Sequence, residues 1–130
     1  MSGQAKLYVD YLAQEGYHPA VHSSGQVLFK DDDRTYVIEI DASDQQFVGI
    51  SYPNFWSIDS DKEIGPVLVA ANHANEKSKC AKVFLHEDRS NTSASIEMFL
   101  PQPEHFKEVF RSSLAALQRS VERFKMFMEL

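Results

Sequence analysis

Cysteine and long apolar runs are the features that this sequence most clearly lacks. Its one cysteine in 130 residues, Cys80, has no second thiol with which to form an intramolecular disulfide. No apolar run approaches the roughly 20 residues that a membrane-spanning helix needs, and the N-terminus lacks the basic-then-apolar pattern of a signal peptide. We therefore expect a cytoplasmic protein in reducing surroundings that does not enter a membrane.

Positive charge is also scarce. Thirteen Lys and Arg residues stand against nineteen Asp and Glu, which gives a formal net charge of −6. This balance argues against a nucleic-acid-binding surface, because binding to a phosphate backbone needs concentrated positive charge. The acidic balance instead favours basic protein partners.

The motifs of common enzymes and metal sites are missing too. There is no G-x-S-x-G nucleophile elbow and no glycine-rich phosphate loop. His18 and His22 are four residues apart, but they flank Pro19 in an extended segment, where they would not converge on one ion. Cys80 opens a predicted strand, where a thiol is usually inert packing. We predict no metal, no cofactor and no enzyme activity, unless distant residues meet in three dimensions.

The composition and the periodicity of the chain predict an α+β fold. The sequence is 43% hydrophobic and of a length typical of one domain, residues 1–130. Apolar residues recur with helical spacing in three segments and with a period of two in five others. We predict the order α-β-β-β-α-β-β-α, with an antiparallel sheet of about five strands and helices on one face. The predicted strands are Gln26–Lys30, Tyr36–Asp41, Phe47–Tyr52, Ala81–Glu87 and Thr92–Leu100.

The start of the second helix is open in the sequence. Ser60 and Glu63 have capping-box spacing, but Gly65 and Pro66 follow at once, so the helix begins at Pro66 or carries a kink. Its apolar face includes Leu68 and also the amide of Asn75. A buried amide needs hydrogen-bond partners, so we predict that Asn75 joins this helix to the backbone of a neighbouring strand or loop.

The last helix is longer than one small sheet can cover. From Glu104 almost to the end it would span about 26 residues, or about 39 Å. Part of its apolar stripe should therefore pack on another molecule, and a second copy of the chain is the simplest candidate. We predict a homodimer, with Phe124, Phe127 and Met128 as its dimer or partner surface.

Several stretches resemble the YbjN-like family of bacterial proteins, which are labelled sensory transduction regulators. These are Tyr11–Tyr17, Gly25–Lys30, Pro53–Trp56, and Ala70–Asn75 leading into Lys79–Val83. The element order also resembles the fold of the class I type III secretion chaperones. The resemblance implies a small, dimeric, non-enzymatic domain that binds protein segments or modulates other proteins.

Phe55 and Trp56 are the predicted partner contacts. They follow the third strand in a predicted loop, and aromatic residues on loops often carry binding, although packing over the end of the core is the simpler interpretation. We expect a regulatory or chaperone-like module that captures a partner segment at a sheet edge or in an apolar groove beside the helices. The alternative is a small-molecule sensor domain that binds an apolar ligand between sheet and helices.

Overall fold

The computed structural model describes residues 1–130 as nine helices and strands. One-turn 3-10 helices, Asp61–Glu63 and Pro103–His105, precede the second and third α-helices. The elements in chain order are α1 (Gly3–Gln14), β1 (Ala20–Val21), β2 (Val27–Asp31), β3 (Arg34–Asp41), β4 (Asp44–Ser57), α2 (Ile64–Lys77), β5 (Ala81–Leu85), β6 (Asn91–Phe99) and α3 (Phe106–Met128).

The strands form one antiparallel sheet in the order β1-β2-β3-β4-β6-β5. The predicted α+β class and the order of the longer elements are confirmed, but the sheet has six strands rather than five. The additional strand is β1, whose two residues, Ala20 and Val21, pair with Leu28 and Val27. Two residues are too few to show an alternating pattern, so periodicity could not reveal this strand.

One row of buried side chains crosses five strands of the sheet. Each member of the row lies opposite the next on the neighbouring strand, and the helices cover this face through a shared core of 25 buried hydrophobic residues. A slip of one residue in any strand would turn its apolar side chains to the other face, so this row defines the register. The row consists of Val27, Ile38, Ile50, Ile96 and Ala81.

Helix α2 begins at Ile64, directly after the 3-10 turn. The Glu63 carboxylate accepts hydrogen bonds from the backbone N–H groups of Asp59 and Ser60, at 2.7 and 3.0 Å. Pro66 lies in the first turn, where a helix does not use the missing N–H. The prediction of a start at Pro66 is therefore wrong by two residues. Leu68, predicted on the core face, is 50% exposed, while Val67 and Ala71 are buried.

Helix α3 is the longest helix and contributes six large apolar side chains to the core. It begins at Phe106, two residues later than predicted, because Pro103–His105 forms a 3-10 turn. None of the helices combines the length and the apolar character that crossing a bilayer requires. The buried apolar side chains are Phe106, Phe110, Leu114, Leu117, Val121 and Phe124.

Thr92 is the exception in this core. Its side chain is 0% exposed, and its Oγ1 has no hydrogen-bond partner in the protein. An unsatisfied buried hydroxyl destabilises the folded state, so we expect Thr92→Val to raise the free energy of unfolding by about 1 kcal/mol. Urea denaturation measures the change. The exposed Thr35 on β3 is the matched control, since Thr35→Val should alter stability by less than about 0.5 kcal/mol. A loss of stability in Thr92→Val would contradict this account.

Candidate functional site

Phe55 and Trp56 lie within β4, not in a loop. The register of β4 against β6 shifts between Tyr52 and Trp56, after which Trp56 pairs with Thr92. Pro53 and Asn54 occupy this irregularity, where a proline is tolerated because the ladder is interrupted. Asn54 has a φ of 57°, and its N–H donates to Ser93 Oγ at 3.0 Å. The loop prediction is therefore wrong, because the strand resumes after the irregularity.

The rings of Phe55 and Trp56 pack on Phe124 of α3. Both make edge-to-face contacts with it, at centroid distances of 5.4 and 5.5 Å, and Phe55 also stacks on Tyr52 at 5.5 Å. Phe124 is 0% exposed, whereas Phe55 and Trp56 are half-buried. The prediction that Phe124 forms a surface is therefore wrong, because β4 already covers its ring. We call these three residues with Tyr52 the aromatic cluster.

The other two residues of the predicted dimer or partner surface are partly accessible. Phe127 and Met128 are half-buried, and the Phe127 ring lies 4.8 Å from the His73 imidazole of α2. Met126, on the opposite side of α3, is exposed. The structure thus brings Phe127 against α2 and leaves part of its ring accessible. A dimer or partner role for Phe127 and Met128 remains a prediction.

Truncation to alanine should lower the free energy of unfolding much more at Phe124 than at Phe127. Phe124→Ala removes a fully buried ring that contacts two aromatic neighbours, so we expect a loss of about 3–5 kcal/mol in the free energy of unfolding. Phe127→Ala removes a half-buried ring and should cost less than half as much. Thermal and urea denaturation of the two variants, side by side, check this order. Equal losses would show that Phe127 is as much a core residue as Phe124.

Asn75 connects α2 to the outer edge of the sheet. Its Nδ2 donates to the Val83 carbonyl at 3.1 Å, and its Oδ1 accepts from the Val83 N–H at 2.7 Å. The predicted hydrogen bonding to a strand backbone is present, but the residue is exposed rather than buried. The amide acts as one further strand residue beside β5, and this protects an edge that would otherwise be open.

Asn75→Ala should leave both Val83 backbone groups without these partners. We expect a loss of about 1–2 kcal/mol in the free energy of unfolding, together with faster hydrogen exchange at the Val83 amide. Asn72 is the matched control, because it is an exposed asparagine on the same helix with no side-chain hydrogen bond. If Asn72→Ala and Asn75→Ala lowered the free energy of unfolding equally, the hydrogen bonds to Val83 would contribute nothing to stability.

A groove lies between α3 and β6, and the sequence did not indicate which residues line it. Its volume is about 650 Å³. Ile96 and Met98 of β6 form its floor, and Val109 and Ala116 of α3 form its wall. Each floor residue is 11 or more positions from each wall residue in the sequence, so no local pattern could have indicated the floor and the wall together.

The groove follows an open edge of the sheet. Strand β5 pairs with β6 only from Thr92 to Ile96, so beyond that residue no strand lies on the side of β6 opposite β4. The Leu100 N–H donates at 2.7 Å to the carbonyl of Gln46, the residue of β4 that precedes Phe47. Along an antiparallel strand, the N–H and C=O groups of successive residues point alternately towards the partner strand and away from it. Since the Leu100 N–H points towards β4, the N–H and C=O of Phe99 point away from β4, towards the open edge.

The charged residues around the groove are partly paired. Glu97 binds Lys82 at 2.5 Å, and Arg111 binds Glu15 at 2.8 Å. The hydrogen bonds that the Arg111 guanidinium donates to the Glu15 carboxylate raise the pKa of Arg111. The remaining charges on the rim are Glu108, Lys79 and Arg119.

No three His, Cys, Asp or Glu side chains are grouped as a metal ion would require. Cys80 is exposed at the entrance to β5, with a φ of 60°, so the prediction that its thiol is packed in the interior is wrong. The positive φ turns the chain from the end of α2 into the strand, and this turn leaves the thiol at the rim of the groove.

Several solved structures share this fold, among them three chains of low sequence identity. An uncharacterized protein from Methanothermobacter thermautotrophicus is 12% identical, with a TM-score of 0.69 over 97% of this chain and 96% of that one. YbjN of E. coli, a candidate transcription regulator, is 16% identical, with a TM-score of 0.64 over 98% and 89%. A chain of the ExsC–ExsE complex is 13% identical, with a TM-score of 0.62 over 97% and 91%.

These similarities concern the fold. They confirm the predicted resemblance to YbjN and to the type III secretion chaperone-like architecture. No family model and no curated protein matches the sequence. Proteins of one fold can differ in function, so what this chain does has to be argued from its own surface.

Proposed function

We propose that this chain is a single, non-enzymatic domain of regulatory or chaperone-like type, which captures an extended segment of a partner protein. The capture site is the groove between α3 and the open edge of β6. The observation that carries the proposal is the backbone of Phe99, the residue after the groove-lining Met98, whose N–H and C=O point away from β4 to a side of β6 on which no strand lies. A protein of the same fold is known in the ExsC–ExsE complex, which supports a protein partner.

An extended segment suits this groove in both length and pattern. The wall from Glu108 to Arg119 rises about 17 Å along α3, which matches about five residues of extended chain. Added beside β6, such a segment would hydrogen-bond to Phe99 and would place every second side chain towards Met98 and Val109. The other side chains would face solvent, so apolar residues at alternate positions are the expected signature of the partner.

The other sheet edges are less suited to strand addition. At the β5 edge, Asn75 already occupies both backbone groups of Val83. At the opposite edge, β1 covers part of β2, and the remainder carries the charged Lys30 and leads into an acidic turn, Asp31–Asp33. Short strands and charges of this kind oppose the addition of a further strand.

The aromatic cluster is a separate candidate surface. It lies at the beginning of β6, where Trp56 pairs with Thr92, whereas the groove lies at the end of that strand. Phe55 and Trp56 therefore remain proposed partner contacts distinct from the groove. The proposed homodimer would use Phe127 and Met128 with the neighbouring face of α2, where Val69 is 56% exposed. We also infer a cytoplasmic location and no role for nucleic acid or membrane, in line with the acidic composition.

A small-molecule sensor is the second candidate function. The observation in its favour is the groove volume of about 650 Å³, which falls in the usual range of small-molecule sites. An apolar ligand would then occupy the space between α3 and the sheet. Such a ligand would raise the melting temperature by an amount that grows with the logarithm of its concentration relative to its dissociation constant, whereas a groove that binds only peptides would not respond to it.

The backbone donor of Phe99 gives a direct test of strand addition. Phe99→Pro removes the outward N–H, and Phe99→Ala removes the same exposed ring while keeping that donor. A photo-crosslinker at Ala116, in the groove, should capture a defined protein from lysate of the source organism, and one at the remote Lys62 should not. We expect Phe99→Pro to lower the crosslinked yield at least about fivefold, since a peptide hydrogen bond and the strand geometry are lost.

Phe99→Ala should retain most of that yield. Both variants should melt within a few degrees of the wild type, because Phe99 is 72% exposed and its N–H is not used by β4. Equal yields from Ala116 and Lys62, or a yield that Phe99→Pro leaves unchanged, would overturn the proposed capture at this edge.

A further inference from the structure

Four basic side chains are concentrated at one end of the groove. Lys77 is the last residue of α2, Lys79 follows it by two residues, and Arg119 and Arg123 lie one turn apart on α3. Together with Ala116 they line a small recess of about 60 Å³, and two of them, Lys79 and Arg119, also line the groove itself. This cationic cluster stands out on a chain whose net charge is −6.

The cationic cluster has no carboxylate partner within the protein. The four ion pairs of the structure use Lys6, Arg34, Lys82 and Arg111, which are other residues. Of the carboxylates that line the groove or lie between the two arginines on α3, Glu97 is held by Lys82 and Glu122 by Arg34, while Glu108 stands at the other end of the groove wall.

Unpaired charges of one sign are unfavourable when they are brought together. Like charges at positions i and i+4 of a helix, as in Arg119 and Arg123, destabilise that helix. Lys77 and Lys79 approach the same recess from the end of another helix. A negatively charged group bound there would replace this repulsion with attraction.

We propose that the segment captured in the groove is acidic, with carboxylates placed against the cationic cluster, Arg119 and Arg123 included. The inference rests on the proposed capture function and names the chemical class of its partner. It differs from the expectation of a basic partner drawn from net charge, because charges act mainly within a Debye length of about 8–10 Å. At the groove the local charge is positive, although the whole chain is acidic.

Three labelled peptides test the preference. Each has about ten residues with valine at alternate positions, and the intervening positions are Glu, Gln or Lys. We expect fluorescence polarisation to show the tightest binding for the Glu peptide, with an affinity that falls as salt rises. The double variant Arg119→Glu/Arg123→Glu should weaken that peptide roughly tenfold or more, since attraction at two positions becomes repulsion.

The matched control is Lys30→Glu/Lys62→Glu. It makes the same change in net charge at two exposed lysines outside the groove, neither of which forms an ion pair. It should weaken the Glu peptide less than about threefold. An equal loss in both double variants would show a general charge effect and would overturn the inference.

The remaining outcomes separate this inference from the capture function. If the Glu and Gln peptides bound equally and Phe99→Pro abolished both, capture would stand and the acidic preference would be wrong. Tightest binding of the Lys peptide would also leave the capture function standing and show that the acidic preference is wrong. If no peptide bound the wild type, both proposals would fail for this groove. If Arg119→Glu/Arg123→Glu halved the mass of the peptide-free protein in sedimentation, a second copy would be the occupant and the inference would again be overturned.

Discussion

The register of five strands is the constraint on which the rest of this structure depends. Val27, Ile38, Ile50, Ile96 and Ala81 lie in one buried row, and a shift of one residue in any strand would expose its apolar side chains. Ala81, the last member of the row, is also the first residue of β5. The register that builds the core therefore also fixes the residue of β6, Ile96, at which its pairing with β5 ends. The open edge of β6 and the groove begin at this point.

Each edge of the sheet is treated differently. The Asn75 side chain hydrogen-bonds to the outer side of β5, and at the other end of the sheet the two-residue strand β1 covers part of β2. Both edges of the sheet are therefore partly protected. The end of β6 has no such protection, and α3 runs beside it at a distance that leaves a groove. Because exposed strand edges tend to pair with other chains, this open edge beside an apolar groove is the feature from which the proposed capture function is argued.

The aromatic cluster shows how packing and recognition can be confused in a sequence. Phe55 and Trp56 follow Pro53 and Asn54, which is a pattern typical of a loop. In the structure the strand continues past this irregularity, and both rings hold the end of β4 against Phe124. Their contribution to stability is therefore direct, and whatever they contribute to binding comes from the faces that remain accessible.

The sequence by itself determined the fold class, the order of the long elements and the hydrogen bonding of Asn75. These features depend on local periodicity and on the physical need of a polar group on an apolar helix face to find a partner. The two-residue strand β1 carries too little pattern to be predicted, and the burial of Phe124 depends on rings contributed by a distant strand.

Only the tertiary structure decided the groove and the cationic cluster. Met98 and Ala116 line the same groove, and Lys79 and Arg119 line the same recess, although no local spacing in the sequence relates them. Composition reports the sum of all charges, which is negative, whereas binding depends on the few charges within reach of a ligand. The fold brings four of the basic residues together, and their position follows from how α2 and α3 pack beside the end of β6.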